Sequence, residues 1–146
     1  MGKILFVCKG NICRSPFAEA LVRKAGYDEC RSAGTENYHI GKPADVTAIE
    51  VAKEFGIDLT SHVARQVQQD DIERAEHIIV MDIENLNRLN ELLGETLKGL
   101  PPTNLLGEYL RKGVVDIPDP YRKSMEEYRK SFKLIEERCQ ALIQIL

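Results

Sequence analysis

The chain has no Cys-x-x-Cys pair, and its three histidines, His39, His62 and His77, are scattered. Zinc sites are built on closely spaced cysteine and histidine ligands, so this absence argues against a metal centre. Apolar runs are short, and none reaches the length needed to span a bilayer, which speaks against a membrane protein. After Met1-Gly2-Lys3 only Ile4 to Val7 precede Cys8, too few for the hydrophobic segment of a signal peptide. An excess of basic charge is missing as well. The formal net charge is −3, which disfavours a general nucleic-acid binder. Repeats, low-complexity segments and an interdomain linker are also lacking, so nothing divides the chain.

What is present fits one ordinary domain. At 146 residues, 43% hydrophobic and 29% charged, the chain can bury a full core without metals or disulfides. Cys8, Cys13, Cys30 and Cys139 could form two bridges. Without an export signal the expectation is instead a cytoplasmic protein, whose thiols stay free in a reducing compartment.

Apolar runs alternate with helical patterns, which predicts an α/β domain with a mainly parallel sheet. Strands are expected near Lys3–Cys8, Arg31–Thr35, His77–Met81 and Thr103–Leu106. Helices are expected over about Ser15–Ala25, Asp45–Phe55, a stretch capped by Asp82 with Leu86, Leu89 and Leu93, and Ser124–Ile145. Ala48, Ile49, Ala52 and Phe55 should form the buried face of the second helix. Met125, Tyr128, Phe132, Ile135, Cys139, Leu142 and Leu146 recur at steps of three and four, a core-facing stripe. Pro118 and Pro120 keep the preceding Val114–Tyr121 segment out of a regular helix.

The chemistry concentrates at Cys8-Lys9-Gly10-Asn11-Ile12-Cys13-Arg14-Ser15, between the first strand and the first helix. Such a loop aims backbone N–H groups at one spot in front of the positive end of a helix dipole. The amides of Lys9 to Arg14 could cradle the oxygens of a phosphate, with Arg14 binding two of them in its planar fork. Gly10 would let the backbone approach closely. The same positive surroundings favour a thiolate at Cys8, able to attack phosphorus and form a phosphocysteine. Ser15 could donate to the Cys8 sulfur or simply cap the helix. Such a reaction also needs an acid for the leaving alkoxide and a base for water. Asp119, held between Pro118 and Pro120, is the best-placed candidate.

Together, Val7-Cys8-Lys9-Gly10-Asn11-Ile12-Cys13-Arg14-Ser15-Pro16 and the distant Asp119-Pro120-Tyr121 resemble the low-molecular-weight protein tyrosine phosphatases, in their bacterial form. The resemblance extends through Ser32-Ala33-Gly34, Ser61 to Arg65, Val80-Met81-Asp82 and Leu105-Leu106-Gly107, covering nearly the whole chain as one phosphatase domain, 1–146. It implies a central four-stranded parallel sheet with helices on both faces and a site at the carboxyl end of the first strand. By position it makes Cys8 the nucleophile, Arg14 the phosphate clamp and Asp119 the general acid and then base. It places Asn11, Ser15, Ser32 and His62 in a hydrogen-bond network behind the loop, with Asp82 in the same support or only capping its helix. Tyr38 and Tyr121 become the walls of a slot for a phosphorylated ring. Cys13 becomes either a reversible disulfide partner of Cys8 or a small residue that fits the loop. Lys9, where the family often has an apolar residue or threonine, extends a positive rim or points into water. No cofactor or metal is implied. The implied partner is a tyrosine-phosphorylated protein, a bacterial tyrosine kinase among the candidates, with neither nucleic acid nor membrane; oligomeric state is unreadable.

Other readings share parts of this pattern. Arsenate reductases of the same fold need further cysteines after the third strand, and positions 82 to 93 contain none. Protein-arginine phosphatases are marked by a threonine where this chain has Ile12. A phosphotyrosine-binding or phosphocysteine-carrying module would leave Asp119 without a task, and a thiol redox sensor would leave Arg14 unexplained as well.

Overall fold

The computed structural model describes residues 3–100, 102–109 and 114–146. Four strands, β1 (Ile4–Cys8), β2 (Cys30–Gly34), β3 (His77–Val80) and β4 (Asn104–Leu105), form one parallel sheet in the order β2-β1-β3-β4. Five helices accompany them: α1 (Arg14–Lys24), α2 (Val46–Glu54), α3 (Gln69–Arg74), α4 (Ile83–Leu97) and α5 (Met125–Gln144). This is the expected single α/β domain with a four-stranded parallel sheet. Among the described residues no helix is long and apolar enough to cross a membrane.

Every residue of β1 is buried, because the strand is covered on both sides. Ile4, Phe6 and Cys8 face a core shared with α1, α2 and α5, whereas Leu5 and Val7 face Ile72 of α3 and Leu89 of α4. The alternation along a strand therefore builds two cores, one on each face of the sheet. On the larger side the rings of Phe17 and Phe132 stack at 4.1 Å, tying α1 to α5 beneath the loop. The chain leaves β1 towards β2 on one side, and β3 lies on the other. This opens a crevice at the carboxyl ends of β1 and β3, the usual ligand position in open α/β sheets.

Helix ends follow local chemistry. Gly26, at φ +106°, takes the left-handed turn after α1, and the Asp82 carboxylate accepts from the Asn85 N–H to cap α4. Some expectations need correction. In α2 it is Val51 that is fully buried with Ala48 and Ala52, while Ile49 and Phe55 are only partly covered. The α5 stripe starts at Tyr128, since Met125 is exposed in the first turn. The fourth strand is two residues long, because Leu106 already turns into a short 3-10 helix. Helix α3 was not anticipated. Its six residues are mostly polar with one buried apolar side chain, Ile72, too few for a periodic signal.

Candidate active site

The loop that follows β1 folds around Asn11. Its backbone sits at φ +57°, a conformation non-glycine residues seldom adopt but asparagine tolerates best. Every polar group of its side chain has a partner. The Asn11 amide donates to Ser15 Oγ at 2.9 Å and to Ser32 Oγ at 3.0 Å, and its oxygen accepts from the Arg65 N–H at 3.0 Å. The Asn11 carbonyl can only accept, so the His62 nitrogen 2.7 Å away, Nε2, carries the proton. Contacts from three directions thus hold a conformation that would otherwise relax.

The same network fixes hydrogen directions at the thiol. Ser15 Oγ accepts from Asn11, leaving its own hydrogen for Cys8 Sγ at 2.9 Å; the Asn11 N–H donates to that sulfur at 3.3 Å. Both contacts stabilise a negative sulfur. Ser32 works likewise, accepting from Asn11 and donating to Glu19 Oε1 at 2.6 Å.

The end of β2 supports the loop through its backbone. The Thr35 N–H donates to the Cys8 carbonyl at 2.9 Å and the Glu36 N–H to that of Lys9 at 3.0 Å. Gly34 must be bare, because a Cβ there would lie 2.7 Å from the Lys9 oxygen and 3.1 Å from the Gly10 carbonyl carbon. The neighbours are backbone, so Gly34→Ala is expected to displace the loop and lower kcat at least about tenfold. Steady-state kinetics beside a thermal melt would check this; full activity would show that the loop is not held from this side.

Arg14 opens α1 with its side chain 2% exposed. Its NH1 donates to Asp82 Oδ2 at 2.6 Å and to the Ile117 carbonyl at 2.9 Å; NH2 lies 3.6 Å from Asp119 Oδ2. One arm is anchored and the other is turned to the cavity's carboxylate. Burial works against the guanidinium charge, but the negative groups at Cys8, Asp119 and Asp82 outweigh it and raise its pKa. Asp82 divides its oxygens between the two expected tasks, Oδ2 for Arg14 and Oδ1 for the α4 cap.

Asp119 reaches the site because the two residues just before it are pinned. The Ile117 N–H donates to the Met81 carbonyl at 2.9 Å, Ile117 is fully buried, and Ser131 holds the Pro118 carbonyl at 2.7 Å. Cys8, Arg14 and Asp119 line one cavity of about 150 Å³, together with Lys9, Gly10, Ile12 and Cys13. Tyr38, which is 59% exposed, and the half-buried Tyr121 border it. Asn11, Ser15, Ser32, His62 and Asp82 lie outside the lining, behind the loop or against Arg14.

Other participants were not read from the sequence. His39 borders the cavity, its ring edge-on to Tyr121 at 5.5 Å and to Tyr38 at 6.3 Å. A Cβ on Gly10 would come within 2.9 Å of His39 Cδ2, so this glycine makes room for the imidazole. Only its place beside Tyr38 could have marked His39. Cys13 is buried with Sγ 3.5 Å from the Tyr128 hydroxyl, which donates to Asp45 at 2.5 Å; burial pushes the Cys13 thiol pKa up. A larger groove of about 480 Å³ backs onto the loop, but Ser32, His62 and Arg65 in its wall are already bonded to Asn11.

The fold and the cavity together define an α/β protein with an anion-suited pocket, combining a thiol, a guanidinium and a carboxylate, at the carboxyl end of a parallel sheet. The model of the family "low molecular weight phosphotyrosine protein phosphatase" matches residues 3–146, and the chain belongs to this family of protein-tyrosine-phosphatase enzymes. The low molecular weight protein-tyrosine-phosphatase YfkJ of Bacillus subtilis is 35% identical, covering 98% of this chain and 94% of its own. Among solved structures, Vibrio vulnificus Wzb in complex with benzylphosphonate is similar at TM-score 0.88 and 37% identity, covering 98% of this chain and 97% of its own. The YwlE arginine phosphatase of Bacillus subtilis is similar at TM-score 0.84 and 30% identity, covering 98% and 94%.

Proposed function

We propose that this protein removes phosphate from phosphotyrosine in proteins through a phosphocysteine on Cys8, with no metal or cofactor. The observation that carries this reading is the shared cavity, in which thiol, guanidinium and carboxylate meet beside two tyrosine rings. The phosphate dianion binds the loop amides and the free arm of Arg14. The Cys8 thiolate attacks phosphorus, an S–P bond forms, and the P–O bond to the ring breaks as Asp119 gives its proton to the departing phenolate. Water then attacks the phosphocysteine, Asp119 takes its proton, and the thiolate leaves, held by Ser15 and the Asn11 N–H. Tyr38 and Tyr121 form the slot that suits a flat ring and keeps the shorter phosphoserine from the sulfur. Asn11, Ser15, Ser32, His62 and Asp82 are positioning residues.

A nucleophile that must remain a free thiol suits the reducing cytoplasm. The whole chain acts as one phosphatase domain. By analogy with bacterial relatives, we place bacterial tyrosine kinases among its substrates.

Asp119→Ala separates acid catalysis from binding. With a poor leaving group, kcat/KM, which reports phosphoryl transfer to Cys8, is expected to fall about 10²–10³-fold, and far less with an activated aryl phosphate that needs no proton. Equal losses across a leaving-group series would reject the acid role. Likeness to YwlE supports phosphoarginine as the second reading, against which Ile12, apolar and lining the cavity, counts. Matched phosphotyrosine and phosphoarginine peptides, assayed with chelator present, decide between them.

A further inference from the structure

We propose that Lys9 and Arg122 form a cationic rim that selects phosphotyrosines flanked by acidic residues; this rests on the phosphotyrosine reading above. The protein is acidic as a whole, at −3, yet two cations that make no ion pair among the described residues stand beside the slot, Lys9 in its lining and Arg122 on the Tyr121 ring.

Arg122 follows the slot residue Tyr121 directly and adopts φ +63°, the left-handed region that arginine rarely occupies. Its guanidinium lies over the Tyr121 ring, 5.5 Å from the centroid, an arrangement favoured by the ring's negative face. Among the described residues it makes no ion pair, whereas the also exposed Arg74 and Arg129 each have a carboxylate. Arg122 is thus held at the slot wall by an aromatic ring, leaving its charge for a ligand.

Lys9 is exposed and lines the slot from a different loop. The carboxylate that feels its charge, Glu36, is already taken by Arg88 at 2.8 Å; that hydrogen bond is the first cause of the lowered Glu36 pKa, with Lys9 a lesser one. Asp119, the acidic residue in the lining, lies 3.6 Å from Arg14. A substrate carboxylate at the mouth would therefore meet positive charge from the phosphate loop and from the Tyr121 wall. Of the two readings of Lys9, this proposal takes the rim.

The test is kcat/KM on phosphotyrosine peptides that differ only in glutamate against glutamine on both flanks. At low salt the acidic peptide is expected to be better by about three- to tenfold, the effect of one or two solvent-exposed charge pairs. The ratio should approach one at ~0.5 M salt and in the double variant Lys9→Gln, Arg122→Gln. Arg122→Gln alone, on a surface loop, should lower it about threefold and serves if the double variant does not fold. A wild-type ratio near one, or a ratio that survives substitution, overturns the rim. An unflanked aryl phosphate in the same assay keeps the two proposals apart. Its turnover with a ratio of one removes the rim alone, and no turnover of any aryl phosphate removes the reading beneath it.

Discussion

Cys8→Ser is expected to lose turnover of any aryl phosphate by about 10⁴-fold or more while keeping the fold and phosphate binding. The sulfur sits at the end of a fully buried strand, and its contacts, the Ser15 hydroxyl and the Asn11 N–H, can serve a serine oxygen equally well. The substitution therefore removes one atom's chemistry and little else. A serine hydroxyl stays protonated near neutrality, and among the described residues the hydrogen-bond partners at this position are Ser15 and the Asn11 N–H, with no histidine placed as a base. His62 bonds the Asn11 carbonyl, and His39 stands at the slot wall. Kinetics on an activated aryl phosphate, with inorganic phosphate as a competing ligand of the variant, would measure both halves. Activity within about tenfold of the parent would mean that sulfur is not the nucleophile.

Arg14→Lys is expected to lower kcat by about 10³-fold although the charge is retained. Two acceptors, Asp82 Oδ2 and the Ile117 carbonyl, occupy the NH1 arm alone, so the guanidinium is anchored before any phosphate arrives. The NH2 arm remains for the ligand. A lysine has a single nitrogen and cannot hold Asp82 while also presenting two parallel donors to the transferring phosphoryl group. Alanine is the poorer test, because it leaves the buried face of Asp82 and the Ile117 carbonyl without their donor. Burst and steady-state rates of Arg14→Lys would check the expectation. Unchanged kcat with only a weaker KM would reduce Arg14 to ground-state binding.

How far these residues could be read from the chain depends on distance. Buried strands such as Ile4–Cys8 and amphipathic helices such as Met125–Gln144 carry their pattern locally, so the sheet, its helices and the position of the Cys8 loop were legible. Asp119 was legible because two prolines hold a carboxylate outside any regular element. Ser32 and His62 carried no signal of their own and were placed by resemblance. Their task, holding Asn11 at φ +57°, exists only after β2 and the His62 segment have packed behind the loop. The same holds for Glu19 behind Ser32, and for Asp45 and Tyr128 beside Cys13, which are 83 residues apart and meet only through the packing of α2 against α5. Helix α3 stayed hidden for the opposite reason. It is local but too short and polar to be periodic, and its Asp71 carboxylate both accepts from the Gln68 N–H and binds Arg65.

Covalent catalysis is the claim on which the rest depends, and trapping the intermediate tests it most directly. In Asp119→Ala, an activated aryl phosphate can still transfer its phosphoryl group, while the water step has lost its base. Rapid acid quench followed by peptide mass analysis is then expected to find one phosphoryl group on the peptide holding Cys8, absent when Cys8→Ser is added. Release of the aryl alcohol with no phosphorylated enzyme, or a phosphoryl group on any other residue, would contradict it.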